Sequence, residues 1–239
     1  MNTYRKTAII VGILFIIGTV AGFLFKMVFT GSIQNDLNLL TQVAANEKQV
    51  IIGALFLLIM GLALALVPVM MFPILKKQNE ALAVGYVVYR GALETITTVA
   101  IVISWLFLTV LSQQYTAGAP DASYLQTFGS LLLKGNDTIG TISQVVFPLG
   151  ALMFYCILYK SKLIPRWISG WGIIAAAWVL VMTAFDWFGI SGSWSTTLVD
   201  ILDFPIFFQE MVMAVWLIVK GFNSSAIAAL SAKTTSNQL

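Results

Sequence analysis

Six stretches of this chain are long and apolar enough to cross a lipid bilayer, and nothing else in the sequence limits its fold so severely. A crossing helix needs about 20 mostly apolar residues, because the hydrocarbon core is ~30 Å thick and an α-helix rises ~1.5 Å per residue. The first stretch is Thr7 to Phe25, closed by Lys26, and the second is the uncharged run Gln49 to Leu75, closed by Lys76 and Lys77. The third lies within Ala81 to Ser112 and has Arg90 and Glu94 inside it. Thr138 to Tyr159 is the fourth, with Pro148 near its middle, and Trp167 to Phe185 is the fifth. The sixth, Leu198 to Val219, is interrupted by Asp200, Asp203 and Glu210.

Composition agrees. Hydrophobic residues make up 59% of the 239 and charged residues 10%, against roughly 45–50% and 25% in a soluble domain. A soluble surface needs more polar residues than this, and no basic stripe is present to track nucleic-acid phosphates. The expected fold class is all-α, a polytopic membrane bundle of six transmembrane helices with one or two outer interfacial helices. Residues 1–220 are expected to form one transmembrane domain, followed by a mobile cytoplasmic tail over 221–239. The bilayer itself is the first expected partner.

Missing residue types exclude chemistry. The chain has no histidine, which removes zinc–histidine sites, Ser-His dyads, HExxH metalloprotease motifs and histidine-ligated haem. Its single cysteine, Cys156, cannot form an internal disulfide or a CxxC motif. No metal and no cofactor is expected. Met1 to Phe25 resembles a signal peptide in having Arg5 and Lys6 ahead of an apolar run. That run is longer than a typical h-region of about 7–15 residues, and no small-residue cleavage site follows, so it reads as a retained first helix.

Loop charges give the orientation. With a cytoplasmic N-terminus, that side carries Arg5, Lys6, Lys76, Lys77, Lys160, Lys162, Arg166, Lys220 and Lys233, and the outer side only Lys26, Lys48 and Lys134. Nine against three, with the same sign at every loop pair, places both termini in the cytoplasm. Two outer segments are too short to cross. Asp36 to Gln49 sets Leu37, Leu40, Val43 and Ala44 at helical spacing, as in an amphipathic surface helix. Ala122 to Leu133 lies between the breaker signals Ala117-Gly118-Ala119-Pro120 and Gly135-Asn136, so a separate interfacial or re-entrant helix is expected there.

Six blocks of sequence resemble one bacterial family of small multi-helix membrane proteins. They are MNTYRKTAIIVGILF, VAANEKQVIIGAL, LKKQNEALAVGYVVYRGALE, AGAPDASYLQTFGSLLL, GALMFYCILYKSKLIPRW and QEMVMAVWLIVKGFN. The family is domain of unknown function four-three-eight-six, and the likeness covers nearly all of residues 1–225. It implies a bacterial origin, an integral membrane protein and a bacterial cell-membrane location. It implies no activity for any residue, so function is argued from polar groups inside the spans.

A charge at a bilayer centre costs at least about 2.5–3.5 kcal/mol on insertion scales, so such residues face the bundle interior and have partners. Glu210 is seven residues past Asp203 and ten before Lys220, so no shift of boundaries brings it to an interface. Arg90, Glu94 and Tyr86 share a face of the third span. Asp137, Thr141, Gln144, Pro148, Ala151 and Tyr155 line one face of the fourth. The sixth carries Asp200, Asp203, Phe207 and Glu210 on one face, with Gln209 beside them. Three polar stripes are expected to meet, with Arg90 paired to Glu210, reinforced by Glu94 and backed by Gln144, Gln209 and Tyr155.

Two meanings of that cluster stay open. It handles a proton or a small-molecule or lipid ligand, in transport or binding, or it is a structural device fixing helix order in a sensor or accessory component. An intramembrane lipid-modifying enzyme is a weaker third reading, because nothing nucleophilic or phosphate-binding accompanies the two glutamates. Three spans per half would make any internal repeat inverted, as in many transporters. A chain this small calls for a homodimer to enclose a path. Gly18-x-x-x-Gly22, and Gly170 with Gly172, are weak signals for close helix packing. Trp105, Trp167, Trp171, Trp187 and Trp194 read as an aromatic belt at span ends.

Overall fold

The computed structural model describes residues 3–29, 38–118, 120–190 and 196–236; side chains at 28–29, 196–204 and 233–236 are outside the description. Nine α-helices and one π-helical turn make up the ordered elements among these residues. They are α1 (Thr3–Phe29), α2 (Leu39–Ala45), α3 (Glu47–Leu75), α4 (Glu80–Tyr86), the π-turn (Val87–Leu93), α5 (Glu94–Thr116), α6 (Ala122–Ser161), α7 (Arg166–Trp187), α8 (Thr196–Val219) and α9 (Ser224–Ser236). α4, the π-turn and α5 run on as one rod, Glu80–Thr116.

Five helices are long and apolar enough to cross a membrane: α1, α3, the α4–α5 rod, α6 and α7. α8 supplies the sixth candidate, since its Pro205–Val219 part passes the same test together with Ser224–Ala232, the two bent by 85°. Large apolar side chains point outward along these helices, among them Ile13 and Ile17 of α1, Leu62 and Leu66 of α3, and Ile96 and Phe107 of α5. In water such a surface would be untenable; in lipid it is the expected exterior.

The spans close into a ring. α1 packs on α3, α3 on α5, α5 on α6, α6 on α7, α7 on α8, and α8 returns to α1. Gly18 and Gly22 are what let α1 lie against α3: a Cβ at Gly18 would fall 2.6 Å from Leu64, and one at Gly22 2.8 Å from Met60. At the other contact of α1, the Arg5 guanidinium donates to the carbonyls of Leu217, Ile218 and Val219 at 3.1, 2.6 and 3.2 Å. The last turn of a helix has no internal partners for those carbonyls, and a cation there also meets the negative end of the helix dipole.

The core has two parts. The larger fills the half of the ring near Arg5, with Phe15, Met71, Tyr86, Phe154, Tyr155 and Leu217 among its buried members. The smaller, at the opposite end, is built from Leu39, Leu40 and Val43 of α2, Val50, Ala54 and Leu57 of α3, Val102, Trp105 and Leu108 of α5, and Leu125 of α6. α2 therefore caps the ring through the apolar face that its Leu40 and Val43 spacing announces; Leu37 lies outside the described residues. Trp105 is buried in this cluster and is no part of a belt, whereas Trp167 and Trp187 are exposed at the two ends of α7.

Gly135-Asn136 does not break the chain, and Ala122–Leu133 is the beginning of the 40-residue α6. Asn136 is buried in the bundle, so packing overrides the local preference of this pair to end a helix. At ~60 Å, α6 is about twice the hydrocarbon thickness, so its extra turns lie beyond a single span. Residues 221–236 include a helix where a tail was expected. They carry α9, whose Ala226 and Leu230 are buried in the larger core, and Asn223 N–H donates to the Leu163 carbonyl at 2.9 Å.

Candidate functional site

The site begins with an irregularity in the backbone. Between Val87 and Leu93 the helix widens to π-helical bonding for seven residues, and Arg90 sits in the middle of them. Such turns are rare and occur frequently at functional positions. Their junction with ordinary helix disturbs the carbonyl ladder, and hydroxyls fill in. Thr95 donates to the Gly91 carbonyl at 2.7 Å, while Thr97 and Thr98 both donate to the Glu94 carbonyl at 2.8 Å. The wide turn is wedged between neighbours. A Cβ at Gly91 would lie 3.3 Å from Pro68 of α3, and one at Gly150 of α6 would lie 3.1 Å from the Arg90 backbone nitrogen.

Arg90 is buried and paired with two carboxylates. One terminal nitrogen donates to both carboxylate oxygens of Glu94 at 2.9 and 3.0 Å. The other donates to Glu210 Oε1 at 3.2 Å. The Phe147 ring covers the guanidinium at 4.5 Å from its centroid, which adds a cation–π contact to the two ion pairs. All three charged side chains are close to buried, at 4% for Arg90, 12% for Glu94 and 11% for Glu210. Arg90 and Glu210 come from the α4–α5 rod and α8, which are opposite members of the ring, so the pair spans its interior.

Aromatic rings wall the cluster on the side toward Arg5. Tyr86, on α4 ahead of Arg90, stacks on Phe154 with centroids 4.6 Å apart, and Phe154 in turn meets Tyr155 at 5.3 Å and Phe15 at 6.3 Å. Gln209, completely buried, donates to the Ile168 carbonyl of α7 at 3.1 Å and lies beside Tyr155. Two buried polar atoms here have no hydrogen-bond partner among the described residues, the Tyr86 hydroxyl and Gln209 Oε1. Buried polar groups are nearly always paired. Both lie beside the Arg90 cluster.

The structure thus brings Arg90, Glu94, Glu210, Gln209 and Tyr155 to one region. Gln144 is not among them. Its side chain is exposed, and its one hydrogen bond among the described residues, besides the helix ladder, is at the backbone, where its carbonyl accepts from the Thr183 hydroxyl at 3.4 Å. Helical spacing put Gln144 on the face of Pro148, Ala151 and Tyr155, yet spacing says nothing about where along that face the neighbouring helices stop. Asp200 and Asp203 have side chains outside the described residues. The π-turn and the Phe147 and Phe154 rings carry no local sequence signal, because an aromatic beside Pro148 reads equally well as lipid-facing.

The family model with the description Domain of unknown function (DUF4386) matches residues 10–221. The chain belongs to that family. The match takes in the ring from α1 through α8 and every member of the Arg90 cluster, and ends as α9 approaches. No curated protein and no solved structure is significantly similar to the chain. For this DUF4386 chain the chemistry of the cluster is the guide to function.

Proposed function

We propose that this membrane protein is a small bundle that handles a proton or small ligand, in transport or binding, at the Arg90–Glu94–Glu210 cluster. The observation that carries the reading is stoichiometric. Two carboxyl groups share one buried guanidinium, so the cluster is balanced in charge only when one proton or one small cation joins it. Burying an unbalanced charge is expensive, and a proton needs no cavity. The unpartnered Tyr86 hydroxyl and Gln209 Oε1 are suited to relay that proton through water or to bind a small hydrogen-bonding solute. Proteoliposomes holding a trapped pH-sensitive dye test it. Wild-type protein is expected to dissipate an imposed pH gradient faster than Glu94→Gln or Glu210→Gln. Equal rates for all three would overturn the reading.

A second reading has one observation in its favour. Every Arg90 nitrogen that reaches a carboxylate is already in place at hydrogen-bond distance, as a purely structural lock between α4–α5 and α8 would require. The flux comparison separates the two, since a lock contributes nothing to proton movement.

The location that fits best is a bacterial cell membrane with both termini cytoplasmic, supported by eight lysines and arginines at the end of the bundle that carries Arg5 and Lys220, against the single acid Glu80 among the described residues. In a chain with Cys156→Ala, a cysteine at Asp121 should react with a membrane-impermeant reagent added to intact cells, and one at Glu80 should not. The reverse pattern would invert the orientation.

A further inference from the structure

We infer that the basic end of the bundle holds a site for a phosphate-bearing anion, independent of the Arg90 cluster. A cavity of about 370 Å³ opens there where α9 folds back beneath α6. Its walls include Gln78 from the turn after α3, Lys160 and Lys162 from the end of α6, Asn223 and Ser225 from the start of α9, and Leu230. The polar part of that lining consists of two cations with amide and hydroxyl groups, and it contains no carboxylate. The Ser225 and Ser161 hydroxyls donate to Asn223 Oδ1 and the Leu158 carbonyl, so the donors left for phosphate oxygens are the two lysines and the Gln78 and Asn223 amides.

Lys160 is in the last turn of α6, and Lys162 ends the helix in the left-handed conformation at φ 56°. That residue ends α6 ahead of Pro165, and both lysines line the cavity. The cavity is of the size at which small-molecule sites begin, about 300 Å³. The surrounding field has one sign, with eight lysines and arginines at this end facing Glu80 alone among the described residues.

The setting favours a lipid headgroup as the source of the phosphate. Ser224–Ala232 lies at 85° to Pro205–Val219, so if α8 crosses the bilayer, α9 runs along its surface. One wall of the cavity is then apolar, through Ala226, Ala229 and Leu230, and the other is cationic. A phosphodiester with acyl chains meets both walls, whereas free phosphate meets only the second. Basic recesses between helices at the cytoplasmic face are a general way to hold anionic headgroups.

The test uses the full chain in detergent, with binding read by native mass spectrometry and by the shift in melting temperature. The probes are short-chain phosphatidylglycerol, short-chain phosphatidylcholine and inorganic phosphate. The cavity variant is Lys160→Gln with Lys162→Asn, because Asn tolerates the left-handed backbone; the control is Lys6→Gln with Lys76→Gln, which removes equal charge from the same end outside the cavity. Wild type is expected to bind phosphatidylglycerol in preference to phosphatidylcholine, the cavity variant to bind it on the order of tenfold more weakly, and the control to match wild type. Lysine-dependent stabilisation by inorganic phosphate without lipid preference would keep the site and assign it to the free anion. Undiminished binding by the cavity variant, or an equal loss in the control, would overturn the proposal.

Discussion

Arg90→Met should lower folding stability by about 3–5 kcal/mol, the usual cost of leaving buried charge without its partner. In the native protein the guanidinium serves Glu94 and Glu210 together, so its loss leaves two carboxyl groups facing each other behind the Phe147 ring. Glu210→Gln should cost less, about 1–3 kcal/mol, because Arg90 keeps both hydrogen bonds to Glu94. The triple change Arg90→Met with Glu94→Gln and Glu210→Gln should recover part of the single-mutant loss, since no buried charge then remains to be neutralised. Unfolding titrations in detergent give all three values. Equal losses for Arg90→Met and Glu210→Gln would mean that Glu94 is no real partner of the arginine.

Gly172→Ala is the second change with a large expected effect. A Cβ at Gly172 of α7 would stand 2.7 Å from Cγ and Cδ1 of Tyr155 and 2.8 Å from Cδ2. That ring is buried and braced by Phe154, so it has no free space to retreat into. Overpacking of this kind typically costs about 1–3 kcal/mol, and here it would also push on Gln209. Gly140→Ala on α6 is the matched comparison, because a Cβ there meets nothing within 4 Å. In a helix interior that exchange should be stabilising by about 0.5–1 kcal/mol. If the two alanines behaved alike, the packing of α7 on α6 would be wrong.

Features that depend on hydrophobic length were legible in the sequence. The apolar runs mark the spans because a bilayer demands a minimum length, and Glu210 stands out because no boundary shift frees it. The pairing of Arg90 with Glu94 and Glu210 follows from counting the charges that cannot be left alone. Features set by three-dimensional context were not legible. The π-turn around Arg90 arises where the rod is pressed between Pro68 of α3 and Gly150 of α6, and neither neighbour is near it in sequence. Gly135-Asn136 looked like a break because such residues end helices in isolation, but the burial of Asn136 in the bundle outweighs that propensity. Trp105 looked interfacial from its place near the end of a span, and only the docking of α2 buries it. α9 was hidden by its Ser, Ala and Thr composition, and its weak apolar spacing has meaning only against Leu163 and the end of α6.

The proposed function requires a carboxyl in the Arg90 cluster to gain and lose a proton within the folded protein. Infrared difference spectroscopy across a pH titration measures this directly, through the carbonyl stretch of a protonated carboxyl group. Wild-type protein is predicted to show a titrating band from a water-shielded carboxyl, insensitive to rapid hydrogen–deuterium exchange, that disappears in Glu94→Gln with Glu210→Gln. An unchanged band in that double variant, or no titrating buried carboxyl in the wild type, would contradict it.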